Sequence, residues 1–378
     1  MTSFVANYPH AERGLLNTPE RLNASADYSG KGVTIAYLDS GFDMHQDIAD
    51  RVCLHVDATT RHIEEQDHVL HTDVTSWHGL MVAAIGSGNG MASNGKYRGI
   101  ACDSELVLVK VSNPHGAVKE NDILRGMIWL VANHARFHIK VVNVSVGGDS
   151  VSHNPQHPLH EAVQKLTAAG VTVVIAAGNR GDKRLVPPAS SPQAIIVGGY
   201  GDNNSLNRDE WHPYHSNYGH AYDGTAKPDL IAPAQWIASP ILSGTLVEKQ
   251  ARWLGTLLET DNKDAIRHLL SDGLADLEMT VPKTGRLNKS LMGKLQERIH
   301  AHKLINDAYQ HVDGTSVAAP IVTSVIAQML EANPALSPEQ IRQILVDTAI
   351  PIVNMSSEQQ GAGTLNARAA VKSAETLR

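Results

Sequence analysis

Three residues of this sequence are of the types that could do chemistry together: Asp39, His78 and Ser316. Asp39 closes the apolar run Val33-Thr34-Ile35-Ala36-Tyr37-Leu38 and is followed by Ser40-Gly41. An acid at the end of a buried strand, just before a turn, projects into a site rather than into solvent. His78 opens the apolar stretch Gly79-Leu80-Met81-Val82-Ala83, behind Trp77. Ser316 stands in Asp313-Gly314-Thr315-Ser316-Val317-Ala318-Ala319-Pro320, at the start of another apolar helix. Singly, each has a plain structural reading: a strand-end cap, a helix N-terminal histidine, a helix N-cap. Jointly they are the parts of nucleophilic catalysis. A serine hydroxyl is a poor nucleophile at neutral pH and needs a base in hydrogen-bond reach, and histidine titrates in the right range. A carboxylate behind the ring holds its tautomer and stabilises the imidazolium. A helix start favours negative charge near the nucleophile.

The elements that must position these residues follow from patterning. Strands are predicted at Val33–Leu38, Leu106–Val111, Val141–Val146, Val171–Ala176 and Ala194–Val197, all apolar on both faces, as in a parallel sheet covered by helices. Helices are predicted at His78–Ile85, Asp122–Ala135, Leu159–Ala169, Ser316–Glu331, Ser337–Thr348 and Asn366–Ala374. Ser337-Pro338-Glu339-Gln340 reads as a helix start, with Ser337 as N-cap and Pro338 at the first helical position. The alternation predicts an α/β fold, a doubly wound, mostly parallel sheet with helices on both faces, whose site lies beyond the carboxyl ends of the strands. From about 243 to 307 the strand-like runs vanish, and leucines recur at helical spacing, as in Leu254, Leu257, Leu258 and Ile266, Leu269, Leu270. Gly273, Pro282 and Gly285 divide this stretch into about three helices. The expected organisation is an N-terminal arm at 1–28 and one catalytic domain at 29–378 with that helical insertion.

The segments Asp39-Ser40-Gly41, His78-Gly79 and Gly314-Thr315-Ser316-Val317-Ala318-Ala319-Pro320 together resemble the three signatures of the subtilisin-like serine peptidases, the subtilase family. The order acid, histidine, serine belongs to that resemblance and is not read from spacing. Further matches are Val141-Val142-Asn143-Val144-Ser145-Val146-Gly147-Gly148, Ala176-Ala177-Gly178-Asn179 and Lys227-Pro228-Asp229-Leu230-Ile231-Ala232-Pro233. The resemblance implies a serine endopeptidase with Asp39, His78 and Ser316 as its triad. It implies Asn179 as a side-chain donor to the oxyanion, beside the backbone N–H of Ser316. It also implies that an extended peptide binds between Ser145-Val146-Gly147 and Gly116-Ala117-Val118, with a P1 pocket walled by Ser145–Gly147 and Ala176–Gly178. Val186 falls where many members carry glycine, so small or medium P1 residues are expected. Pro188 matches a family proline preceded by a cis bond. In the family a loop like Gly86–Gly99, with an acid like Asp47, can bind calcium, and structural calcium is carried here as an expectation. The usual Thr-His-Val after His-Gly reads Leu80-Met81-Val82 here, a departure that changes local contacts but not the triad.

Composition narrows the alternatives. A net charge of -7 argues against nucleic-acid or membrane-surface binding, which needs a basic patch. Cys53 and Cys102 make no disulfide framework and are read as free thiols, which suits a reducing compartment. No apolar run is long enough to span a membrane, and 1–14 lacks the pattern of a secretory signal. Cytoplasmic residence is therefore expected, with secretion the alternative if a leader was removed. Asp39 lies too near Met1 for a folding-assistant pro-domain within this sequence. His68, His71 and His153, His157, His160 could suggest a metal site, but prolines interrupt the second group, which is read as a solvated loop. The Gly86-Ser87-Gly88-Asn89-Gly90 run lacks the Gly-Lys-Ser/Thr ending of a phosphate loop. An α/β-hydrolase esterase is excluded because acid and histidine precede the serine. The competing class is a catalytically idle subtilase-fold interaction protein that binds through the insertion. The insertion is expected near the rim of the site, as a lid or partner-docking surface.

Overall fold

The computed structural model describes residues 4–60, 62–67, 75–113, 115–259, 263–280 and 286–377. The main strands are β1 (Thr34–Asp39), β2 (Val52–Asp57), β3 (Glu64–Gln66), β4 (Glu105–Lys110), β5 (Ile139–Val144), β6 (Thr172–Ala176), β7 (Ile195–Gly201) and β8 (Leu230–Pro233). They form one sheet in the order β8-β7-β6-β5-β1-β4-β2-β3, parallel except where β3 meets β2 and where His212–Pro213 pairs with β7. Ile35, Ala36, Tyr37 and Leu38 are wholly buried, because helices cover both faces and period-two alternation is lost.

The helices are α1 (Ser76–Ser87), α2 (Glu120–Asn133), α3 (Pro158–Ala168), α4 (Leu246–Glu259), α5 (Lys263–His268), α6 (Lys289–Ala301), α7 (Thr315–Ala332), α8 (Pro338–Thr348) and α9 (Ala367–Thr376). One core lies between the sheet and α1, α7, α8 and α9, and a second between the sheet and α2 and α3. Contrary to the expectation from sequence, α7 is by length and composition apolar enough to cross a membrane, but 94% of it is buried within the protein. Ser337 caps α8 through a reciprocal box with Gln340, and Pro338 takes the first position.

β1 is where the chain reverses its direction of travel across the sheet. β4 and β2 lie to one side of it, β5, β6 and β7 to the other. The crevice beyond its carboxyl end, at Asp39, is the place where such sheets bind ligands. α1 is pressed against that crevice: a Cβ built on Gly79 would lie 2.0 Å from the Gly41 carbonyl oxygen. Only glycine after His78 permits this approach.

The predicted elements differ from the observed ones mostly by one or two residues at their ends. α1, for instance, begins at Ser76 rather than His78. Between β9 (Ile237–Pro240) and β10 (Tyr309–Val312), an antiparallel pair, the chain folds into helices with an apolar core of their own, including Leu254, Leu274, Leu295 and Ile299. Gly273 does not break this stretch as predicted. It ends a π-helical turn, Leu269–Gly273, that continues directly into Leu274–Asp276, and it is needed there because Trp253 closes over it. Pro282 and Gly285 lie outside the described residues. Phe4 joins the same apolar core, and Arg21 in the N-terminal stretch makes a buried ion pair with Asp202 at 2.6 Å.

The solvated-loop reading of the second histidine group is wrong for His160. Pro158 starts α3 rather than interrupting it, and His160 is buried with its ring nitrogens 2.8 Å from the Asn154 carbonyl and the Ser190 hydroxyl. Those contacts make it a satisfied core residue. Among the described residues no cluster of three or more His, Cys, Asp or Glu side chains could hold a metal. His68 and His71 lie outside them. Cys53 and Cys102 are free thiols.

Candidate active site

Asp39 ends β1 fully buried, and its Oδ1 accepts hydrogen bonds from the Ser40 N–H at 2.6 Å and the Ser40 hydroxyl at 3.1 Å. The same oxygen lies 2.6 Å from His78 Nδ1, at the start of α1. Three donors on one carboxylate oxygen fix the ring so that its other nitrogen faces away from Asp39. Burial of His78 disfavours its charged form, but the charge of Asp39 and the hydrogen bond to it outweigh burial, and the imidazole pKa is raised above 6.5. The ring stays about one quarter exposed, so it can exchange protons.

Ser316 lies in the first turn of α7, which packs along α1, and only 8% of the residue is exposed. Its hydroxyl has no protein hydrogen bond among the described residues, and the bond to His78 needed for proton transfer is not formed. Such bonds often tighten only when substrate binds.

Asn179 follows β6. Its Oδ1 accepts from both the Thr315 N–H at 2.9 Å and the Thr315 hydroxyl at 3.0 Å. The amide orientation is therefore set, and Nδ2 is the donor left over. A Cβ built on Gly314 would lie 3.6 Å from that Nδ2 and 3.7 Å from the Ser316 backbone N. Both nitrogens therefore border the same space at the N-terminus of α7.

A cavity of about 440 Å³ opens beside Ser316. Its lining includes Ser145, Val146, Gly147, Ala176, Ala177, Gly178, Asn179, Val186 and Thr315, which brings together the predicted P1 wall. Val186 Cγ2 would lie 3.0 Å from a Cβ on Gly147, so the valine closes the pocket against its opposite wall. The Pro187–Pro188 bond is cis. Gly116, Ala117 and Val118 do not line this cavity. They form a turn after β4, held by an antiparallel bridge between Ser112 and Val118. Sequence reasoning missed Thr315 as the partner of Asn179, and Asn217, which lines the cavity from a separate loop.

Asp47 is buried, its Oδ1 accepting from the Ala92 N–H at 2.9 Å and its Oδ2 from the Tyr309 hydroxyl. Burial, then the Asp47 charge, raises the Tyr309 pKa, so that hydroxyl stays a donor. The Arg51 guanidinium donates to the carbonyls of Ser87 at 2.5 Å and Asp47 at 2.6 Å. The carboxylate is satisfied and the nearby carbonyls face a fixed cation. Calcium is held by six to eight oxygens, and those of the Asp47 region already have protein partners.

Residues 30–367 match the family model described as the Subtilase family. The chain belongs to the subtilase family. This subtilase is 28% identical over 351 residues to the serine protease AprX of Bacillus subtilis, covering 91% of this chain and 67% of that one. It is 26% identical over 345 residues to subtilisin Savinase of Lederbergia lenta, covering 91% and 92%. The chain spans about two thirds or less of the length of several other curated relatives. Among solved structures, fervidolysin of Fervidobacterium pennivorans aligns with a TM-score of 0.64 at 21% identity, over 98% of this chain and 47% of that one. A protease from Pseudoalteromonas arctica aligns with a TM-score of 0.62 at 22% identity, over 95% and 94%. These likenesses support the α/β subtilisin-like fold of this subtilase and its place among the serine peptidases.

Proposed function

We propose that the chain is an active serine endopeptidase working through Asp39, His78, Ser316 and Asn179. The observation that carries this is the joint setting of the two halves of the site. Asp39 and His78 are bonded at 2.6 Å, while Asn179 is tied by its own Oδ1 so that only its Nδ2 remains to donate beside the Ser316 N–H.

In this reading His78 Nε2 takes the Ser316 proton as Oγ attacks the peptide carbonyl. The oxygen charge develops toward Asn179 Nδ2 and the Ser316 N–H. As the C–N bond breaks, the imidazolium returns its proton to the leaving amine, and an acyl-enzyme remains on Ser316. Water, deprotonated by His78, then releases the acid product. Asp39 keeps the Nδ1 tautomer and stabilises the imidazolium throughout.

The peptide lies extended along Ser145–Gly147 and Gly116–Val118, with its P1 side chain toward Val186. The closeness of Val186 to Gly147 supports small or medium P1 residues. The chemistry is carried by side chains, and the occupied donors around Asp47 support a loop that needs no calcium. The helices between β9 and β10 support a lid or partner-docking role, since β10 leads directly into Asp313-Gly314-Thr315-Ser316. Two free thiols support residence in a reducing compartment such as the cytoplasm.

Hydrolysis of peptidyl p-nitroanilides with alanine at P1 tests the reading. Activity should vanish in Ser316→Ala protein of unchanged fold. Equal turnover by both proteins would refute it.

A further inference from the structure

Asn179 can serve as an oxyanion donor only if its amide is held in place within a fraction of an ångström, since a misplacement of about 1 Å can cost roughly 100-fold in rate. Its side chain is tied to Thr315, but its backbone lies beyond the end of β6, where the sheet no longer holds it. It is held by the Thr315 hydroxyl, which accepts from the Gly178 N–H at 3.1 Å, and by a separate stretch of chain, Tyr214–Asn217. The Asn217 N–H donates to the Gly178 carbonyl at 2.9 Å, and the Arg180 N–H donates to Asn217 Oδ1 at 2.7 Å. Asn217 thus brackets Asn179 from the residue before and the residue after. Its Nδ2 donates to the Arg184 carbonyl at 2.9 Å, closing the same loop from its far side. His215 Nδ1 lies 2.8 Å from the carbonyl of Asn179 itself.

The bracket has a fixed sense. Turning the Asn217 amide over would set its NH₂ against the Arg180 N–H and its oxygen against the Arg184 carbonyl, so both contacts would become repulsive. The fit is also tight. Gly178 has φ of +100°, and a Cβ there would lie 2.7 Å from Asn217 Nδ2. Asn217 is only 6% exposed, and both ends of its amide are already engaged.

We propose that Asn217 is a positioning residue for the oxyanion site: it sets the backbone on either side of Asn179 and through it the direction of Asn179 Nδ2. The inference rests on the reading of Asn179 as an oxyanion donor. A bracket acting only through Asn179 makes a specific kinetic pattern. Asn217→Ala should lower kcat about 10- to 100-fold on an alanine-P1 peptide, with KM changed less than about twofold. In an Asn179→Ala background the same substitution should lower kcat by less than about twofold, because nothing is left to position.

The experiment is that double-mutant cycle, with thermal unfolding recorded for each protein. Asn217→Asp, which is isosteric and keeps the acceptor for Arg180, carries the same cycle if the alanine variant does not fold. Equal kcat losses in both backgrounds, or a rise in KM with kcat intact, would overturn the proposal by pointing to general loosening or to the pocket wall. If Asn179→Ala alone leaves kcat unchanged, the oxyanion reading fails first and the positioning role falls with it.

Discussion

Replacing Val186 with glycine should turn this enzyme toward large P1 residues, and the structure bounds the size of the change. The valine side chain meets the opposite wall of the pocket at Gly147, in a cavity of about 440 Å³ beside Ser316. The substitution removes three carbons from that contact. Each buried methylene-sized group is worth about 0.8 kcal/mol, so a side chain filling the vacated space gains at most about 2.4 kcal/mol. That is a ceiling of roughly 60-fold in kcat/KM, and filling half the space gives roughly eightfold. A small P1 residue cannot reach the space and gains nothing. The assay is a series of succinyl tetrapeptide p-nitroanilides differing only at P1, alanine, leucine or phenylalanine. The phenylalanine-to-alanine ratio of kcat/KM should rise by a factor between those two values. An unchanged or falling ratio in a folded variant would show that Val186 does not set the depth of the pocket.

Further predictions follow from the same geometry. Asp39→Asn should lower kcat by about 10⁴-fold, the magnitude expected when the wrong histidine tautomer is held. Because the Asp39 charge and hydrogen bond are what raise the His78 pKa against burial, the acid limb of the wild-type pH profile should lie above 6.5 and move downward in the variant. The folded-state pKa is raised, so the His78⁺–Asp39⁻ pair stabilises the fold fully below the unfolded pKa and loses that contribution as pH rises through the folded value. Wild-type Tm should shift by less than about 1 °C between millimolar EGTA and millimolar calcium, while Arg51→Met should lose about 3–6 °C by stranding the Ser87 and Asp47 carbonyls. A large calcium-dependent rise in wild-type Tm would contradict the fixed-cation reading. Replacing 243–306 by a short turn is feasible because the Ile241 N–H already donates to the Ala308 carbonyl at 2.9 Å. Small peptides should then be cleaved at nearly wild-type rates while folded protein substrates change about tenfold or more. Unchanged selectivity would remove the lid.

What the sequence made legible, and what it hid, divides along physical lines. β1, β5 and β6 were readable because strands buried on both faces are rich in Val, Ile, Leu and Ala, and Asp39 stood out as a carboxylate closing such a strand just before a turn. α7 was readable from an apolar run long enough to be a core helix. The burial of His160 is hidden when Pro158 is read as a breaker, unlike Pro338, although Pro158 too occupies the first helical position, where a missing N–H costs nothing. Gly273 was misjudged because its role depends on Trp253, twenty residues away. Tyr309 was invisible as a partner of Asp47 because it comes from a distant stretch of chain, and Arg51, though near in sequence, because only the fold turns its guanidinium onto the Ser87 and Asp47 carbonyls. Asn217 sits in a polar loop whose sequence looks like any turn. Only the folded chain brings it against Gly178 and Arg180.

The central claim is that Ser316 is the activated nucleophile, and active-site labelling tests it most directly. A fluorophosphonate should modify the folded protein at one site, mapped by mass spectrometry to the peptide carrying Ser316. Labelling should be absent in Ser316→Ala and slowed strongly in His78→Ala. Labelling that survives Ser316→Ala, or that never occurs in the folded wild-type protein, would contradict the account.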